Sequence, residues 1–450
     1  MALFSTDDTI VAIATPAGRG GIGVVRISGP SAAEVADALL HLDEPLRPRY
    51  ATFARTQGDQ VVATYFPAPH SYTGEHVVEI SAHGSPVVLR QIVTQAMASG
   101  SRLAEPGEFT LRAFLNGRID LVQAEAVADL IDAVTPLQAR AAFDQLEGTL
   151  TGQIASIESA LFDLIARLEA SLDFPEEGYH FVEAGETGMA LRAIERTIDA
   201  LLCEVTRGRL IREGARVAIA GKPNVGKSSL FNALLGTGRA IVTSTPGTTR
   251  DLVTDTADID GIRIDLVDTA GVRVTSDEVE IEGVSRARQA WLNADLVLLV
   301  VDRSLPIEET DRDLLHETAD MARLVVGAKC DLPPAWVDVD NLPAIAVSSK
   351  TGFGLDRLRE AMRTTLEAAN PSTAPDTAAV TNVRHAALLE KARAALCRAR
   401  EAVEAPGGPV AEEFVLTDLQ DARAALEEVT GKRTSDDLLQ HIFSRFCIGK

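Results

Sequence analysis

The sequence predicts a multidomain α/β protein: an N-terminal α+β domain, then a domain of long helices interrupted by an inserted P-loop α/β domain. Three observations predict it. Short β-rich runs mix with helical stretches over residues 1–118. Two regions with apolar residues at helical spacing, 119–213 and 371–450, flank a region, 214–370, in which apolar strands alternate with helices. In that middle region the strand-like "RVAIA" runs directly into "GKPNVGKSS", which fits G-x-x-x-x-G-K-[ST] and opens a helical stretch.

Each element follows from its local pattern. "TIVAIATPA", "GIGVVRIS", "QVVATYFPAP" and "HVVEISAHG" read as strands, and "PSAAEVADALLHL" and "SPVVLRQIVTQAMASG" as helices. From Ile119 to Phe174 the apolar residues recur at helical spacing with a single proline to break them. "GIRIDLVDTAG", "DLVLLVVD", "ARLVVGAKCD" and "LPAIAVSSK" are apolar enough for strands covered on both faces. "NPSTAPDTAAVTN" reads as a linker before the last long helices. Domain termini commonly lie close together, so the simplest arrangement inserts the α/β unit into one helical domain built from both flanks.

Composition bounds the function. The 450 residues carry 43 Lys and Arg against 65 Asp and Glu, a net charge of -22, which argues against indiscriminate attraction to phosphate backbones. Cys203, Cys330, Cys397 and Cys447 show no metal-binding or CxxC spacing, as expected in a reducing compartment. No leader pattern and no apolar run of membrane-spanning length is seen, so a cytoplasmic protein without membrane partners is expected. The ending "RFCIGK" is a poor match to a prenylation box, because Gly449 and Lys450 stand where other residues are required.

The P-loop sequence carries the most chemistry. Its glycines let backbone N–H groups curl around phosphates, Lys227 neutralises their charge, and the Ser228 hydroxyl can ligate Mg²⁺ at the helix start. Asn224, Val225, Gly226 and Ser229 complete the nucleotide-contacting turn. The loop Thr243, Ser244, Thr245, Pro246, Gly247, Thr248 and Thr249 offers hydroxyls for the metal. "DTAG", Asp268, Thr269, Ala270 and Gly271, closes a strand with a carboxylate for Mg²⁺ and an amide for the γ-phosphate. In "AKCD", Asp331 is a double acceptor for the guanine N1 and N2 donors, Lys329 lies over the base, and Ala328 heads the segment. Ser348, Ser349 and Lys350 close the base pocket. Weak singly, these segments together point to a guanine nucleotide because of their order and their placement at strand ends.

Val272 follows "DTAG" and cannot orient a water. Asn224 with carbonyls around Thr243, Thr245 and Thr248 could instead hold a monovalent cation beside the phosphates, while a carboxylate in "SDEVEIEG" positions the water. "GRGGIG" fits G-x-G-x-x-G formally, but the strand-like "VVRISG" follows it, so it is assigned to a tight turn.

These residues, with "SYTGE", "AEPGEFTLRAFLNGRIDLVQAEAVADLI" and "IFSRFCIGK", resemble the MnmE (TrmE) family of tRNA modification GTPases along the whole chain. The resemblance implies a homodimer, an N-terminal domain that pairs and binds a one-carbon folate of the 5,10-methylene- or 5-formyl-tetrahydrofolate type, and GTPase domains that dimerise with K⁺ and GTP bound. By motif, Asn224 looks like the K⁺ ligand, helped by Thr243, Thr245 and Thr248; Ser228 and Thr249 look like the Mg²⁺ ligands; Glu280 looks like the water-orienting carboxylate. Arg26, Glu79, Arg118 and Lys450 look like folate contacts, and the tail would bring Cys447 towards them for a possible role in the modification. The family acts on tRNA with an FAD-dependent partner protein, placing an aminomethyl-type group on carbon 5 of the wobble uridine.

Two positions depart from the family pattern. Arg118 stands where many relatives have lysine, and Ala328 where the pattern has asparagine, so weaker base selection with GTP still preferred is expected. A ribosome-assembly GTPase and a GTP-regulated scaffold are the competing readings, and the N-terminal signature disfavours both.

Overall fold

The computed structural model describes residues 7–173, 184–238, 253–268, 290–338, 343–368, 380–405 and 412–450. The N-terminal region opens with strands β1 (Ile10–Ile13) and β2 (Ile22–Ser28), helix α1 (Ala32–Leu40), and strands β3 (Thr52–Arg55), β4 (Gln60–Phe66) and β5 (Val77–His83). Helix α2 (Pro86–Ala98), β6 (Arg102–Leu103) and α3 (Glu108–Leu115) complete it. The sheet order is β3-β4-β5-β2-β1-β6, antiparallel except for the β1–β6 pair. Alternation along β1 sends Val11 into a core with Val25, Ile27, Ile80, Leu89 and Ile92 beneath α1 and α2. Ile10 and Ala12 face the other way, against Phe109. "GRGGIG" leads straight into β2, as the turn assignment requires.

The helical region continues with α4 (Leu121–Asp132), α5 (Pro136–Leu146), α6 (Thr149–Asp173), α7 (Ala184–Cys203) and α8 (Val205–Glu213). The stretch with one expected break contains two. At Pro136, the Thr135 hydroxyl accepts from Gln138 N (3.2 Å) and the Gln138 side chain accepts from Thr135 N (3.2 Å), a reciprocal N-terminal cap. The second break falls at Gly148, whose φ of +84° ends the run.

The α/β region follows with β7 (Ala215–Ala220), α9 (Lys227–Gly238), β8 (Val253–Ile259), β9 (Ile262–Asp268), β10 (Leu296–Asp302) and α10 (Glu309–Glu317). β11 (Arg323–Ala328), β12 (Ala344–Ala346) and α11 (Leu355–Ala368) close it. The order is β12-β11-β10-β7-β9-β8, with every pair parallel except β8–β9. β10 is buried at all seven positions, as a strand covered on both faces must be. The chain ends with α12 (Val383–Val403), α13 (Glu412–Thr430) and α14 (Asp436–Phe443).

Contacts divide the chain into two units: Met1–Ala128 with Gln145–Glu158 and Arg423–Lys450, and Asp129–Asp144 with Ser159–Ala422. The C-terminal helix therefore shares a unit with the N-terminal sheet. Leu439, Ile442, Phe443 and Phe446 pack on Leu111, Leu121 and Ala124. Among the described residues no helix is long and apolar enough to cross a membrane.

Candidate functional site

In the second unit, β7 and β10 are neighbours whose connections run to opposite sides of the sheet, which opens a crevice at their C-terminal ends. The P-loop leaves β7 at this end. Gly221 has φ +144°, and a Cβ there would come within 2.3 Å of the Val300 carbonyl, so only glycine lets the loop leave β7 against β10. Asn224 takes a left-handed conformation, φ +63°. Lys227 opens α9; it is 7% exposed, and its ammonium donates to the Gly221 and Lys222 carbonyls, each at 2.7 Å. The amine is thereby held across the loop that would cradle phosphates. Val225 is buried, while Asn224, Ser228 and Ser229 are exposed at the mouth of the loop. Their oxygen atoms are hard donors, which suits Mg²⁺ and an alkali cation.

The base-selecting segments meet at the ends of β11 and β12. Asp331 accepts from the fully buried Ser348 hydroxyl at 2.8 Å, and Cys330 N donates to the Val347 carbonyl at 3.2 Å. Lys329, φ +59°, donates to the Asn224 carbonyl at 3.0 Å and pairs with Asp302 at 2.7 Å. Ala328 is 6% exposed, Ser349 half-buried and Lys350 exposed. The structure thus gathers Asn224, Lys227, Lys329, Asp331 and Ser348 around one crevice. Asp268 ends β9, its backbone beside Ile219 of β7. Thr243, Ser244, Thr245, Pro246, Gly247, Thr248, Thr249, Thr269, Ala270, Gly271 and Glu280 lie outside the described residues.

A second polar group forms in the first unit. Register places Arg26 of β2 between Ala12 of β1 and Glu79 of β5, on the sheet face that carries Phe109. Arg26 pairs with Glu79 at 2.8 Å, and its guanidinium carbon lies 5.3 Å from the Tyr72 ring centre and 5.6 Å from that of Phe109. The chain end arrives here: Ile448 bridges Pro106, Gly107 N donates to the Cys447 carbonyl at 3.4 Å, and Arg26 donates to the Gly449 carbonyl at 3.5 Å. Gly449 has φ +101°, and a Cβ would come within 2.3 Å of the Ile13 carbonyl. Burial, then Arg26, holds the Lys450 ammonium below its ordinary pKa, against the pull of Glu79. Arg118 is exposed and lies along Gly74, since a Cβ there would meet its Cγ at 3.2 Å; Cys447 is exposed.

The sequence reading missed Tyr72 and Phe109 as walls of this group. Tyr72 sits in the "SYTGE" segment, whose backbone is fixed by the Ser71 hydroxyl on the Glu75 carbonyl (2.6 Å), the Thr73–Ser28 hydroxyl pair (2.7 Å) and Asn116 on the Thr73 carbonyl (2.8 Å). Glu75 in turn pairs with Arg112.

The fold and the strand-end segments define a P-loop GTP hydrolase domain carried with an α+β domain and helices. A family model described as the GTP-binding protein TrmE N-terminus matches residues 9–118, and the MnmE helical domain model matches residues 121–447. The chain is 44% identical over 456 residues to the tRNA modification GTPase MnmE of Koribacter versatilis, covering 99% of each. It is 45% identical over 459 residues to that of Syntrophotalea carbinolica, again covering 99% of each. Among solved structures, the G domain of the T. maritima FeoB iron transporter matches at 31% identity, covering 34% of this chain and 98% of that one, with a TM-score of 0.26. The chain belongs to the MnmE family of tRNA modification GTPases.

Proposed function

We propose that this chain is a K⁺-activated GTPase that, as a homodimer and with an FAD-dependent partner protein, modifies carbon 5 of the wobble uridine of certain tRNAs. The observation that carries the reading is the pairing, on one chain, of the P-loop crevice with a second polar group closed by the chain's own C-terminus at Arg26. Lys227 neutralises the β- and γ-phosphates, Ser228 and Thr249 hold Mg²⁺, and Asp331 selects guanine. Asn224 with Thr243, Thr245 and Thr248 holds K⁺, which supplies fixed positive charge where negative charge develops. Glu280 orients the attacking water. Turnover drives dimerisation of the GTPase domains and a conformational change.

A one-carbon folate fits the second group by donor chemistry. Arg26 and Lys450 offer cationic donors, the Glu79 carboxylate accepts from ring N–H groups, and Tyr72 and Phe109 provide apolar walls. When bound, the folate supplies the one-carbon unit. Arg118 adds charge beside Gly74, and Cys447 is available to the modification chemistry.

A mass-spectrometric nucleoside profile of bulk tRNA from cells with and without the gene tests the reading. Aminomethyl-type wobble uridines should vanish on deletion and return with the gene; an unchanged profile would overturn the modification role and favour a ribosome-assembly GTPase. For the hydrolytic step, Glu280→Ala should abolish turnover with GTP binding retained. Unchanged turnover would remove Glu280 from the mechanism.

A further inference from the structure

We infer that Asp302 is a positioning residue for guanine recognition, acting through Lys329. The carboxylate ends β10, the strand beside the P-loop strand, and its side chain is 7% exposed. An isolated carboxylate this buried is unfavourable, so its partners define its use. Oδ1 accepts from Ser304 N at 2.9 Å and from the Ser304 hydroxyl at 2.6 Å, while Oδ2 faces Lys329 at 2.7 Å. Burial alone would raise the Asp302 pKa, but the hydrogen bonds from Lys329 and Ser304 hold it below the ordinary carboxylate value, so the group is anionic at neutral pH.

Further contacts lock the same two loops. Arg303 N donates to the Ala328 carbonyl at 3.0 Å, Trp336 Nε1 to the Asp302 carbonyl at 3.0 Å, and Ala335 N to the Arg303 carbonyl at 2.9 Å. Ala328 contributes no polar side-chain atom. In this chain Asp331 is tied to Ser348, and the side-chain link from the base-selecting segment to the P-loop runs through Lys329, stretched between Asp302 and the Asn224 carbonyl. The left-handed backbone of Lys329 costs free energy that those two contacts offset. A lysine fixed at its ammonium has its aliphatic stem fixed as well, and that stem is the surface offered to a purine face.

This inference rests on Lys329 and Asp331 being the base-selecting residues, and the test separates the two claims. In Asp302→Asn, Ser304 keeps the oxygen, so an amide NH₂ turns towards the Lys329 ammonium and the pair becomes donor against donor. The Michaelis constant for GTP should rise about tenfold, the preference for GTP over ATP should fall, and kcat at saturating GTP should hold. Asp302→Glu should recover part of the preference. Asp331→Asn is measured beside it. If Asp331→Asn shifts the preference and Asp302→Asn does not, or if Asp302→Asn weakens GTP and ATP by one factor, the role of Asp302 is overturned. If Asp331→Asn leaves the preference unchanged, the base assignment falls and the inference with it. Should Asp302→Asn fail to fold, Ser304→Ala removes the hydroxyl that orients the Asp302 carboxylate and is read by the same split, with a smaller shift expected and no shift in the preference overturning the role.

Discussion

Lys227→Ala is expected to lower GTP turnover about 10²- to 10³-fold, the loss typical when one preorganised donor to developing charge is removed. The ammonium is buried, and it is held by two carbonyls of the loop it spans. Alanine removes the charge that Lys227 directs across the backbone of this turn. It also leaves the Gly221 and Lys222 carbonyls short of a donor. Lys227→Arg should not restore activity, because a planar guanidinium cannot take the place of a compact ammonium between two carbonyls. Steady-state hydrolysis measured with fluorescent-nucleotide binding checks this: turnover within tenfold of the parent would show that Lys227 does not serve the phosphates.

The second large effect belongs to Arg112. Its side chain is 1% exposed and meets three carboxylates: Asp8 at 2.6 Å, Glu108 at 2.9 Å and Glu75 at 3.2 Å. Arg112→Met keeps the bulk but takes the buried cation from Glu75 and leaves Asp8 and Glu108 to Arg102 alone, so the first unit should lose about 3 kcal/mol at pH 7. Burial alone would raise the Asp8 and Glu108 pKa values, but hydrogen bonds from Arg102 and Arg112 hold both below the ordinary range. For depressed carboxyls the stabilisation is complete above the unfolded pKa, about 4, and is lost as pH falls through the folded values. In Arg112→Met the effect of burial is less opposed, so Asp8 and Glu108 titrate higher and mild acid relieves the strain. The deficit should therefore be smaller at pH 5 than at pH 7. Denaturant midpoints at the two pH values read this out; a deficit below about 1 kcal/mol at pH 7 would mean that the cluster is screened by water. Because Glu75 closes the segment carrying Tyr72, the same variant should loosen the wall beside Arg26.

Much of the fold was legible because it is written locally. Period-2 apolar runs gave β1, β2, β4 and β5, and near-continuous ones gave β7, β10 and β11. The strands that the reading did not anticipate, β3, β6 and β8, are all sheet edges. An edge strand has one neighbour and can be short or polar, as "RL" and "VTDTADI" are, so its pattern is weak. The second break in the helical stretch rests on Gly148, and a lone glycine within a helical pattern does not by itself decide between tolerance and termination.

The site divides in the same way. Sequence by itself determined the P-loop, because glycine spacing, an adjoining lysine and a strand-to-helix switch lie within one short segment and each is required by backbone geometry. It also placed "AKCD" and "SSK" just after strands, and a parallel order delivers the ends of such neighbouring strands to one edge. Only the tertiary structure decided which side chains those ends bring together. Arg26 reaches the Gly449 carbonyl across a separation of 423 residues, and Lys329 meets Asp302 across 27. Whether an arginine is a surface charge or the buried centre of three carboxylates, as Arg112 is, depends on what packs over it. The physical reason is range: dihedral preference and apolar period act over a few residues, whereas burial and charge pairing act through space and are fixed only once sheet register and helix docking have chosen the neighbours.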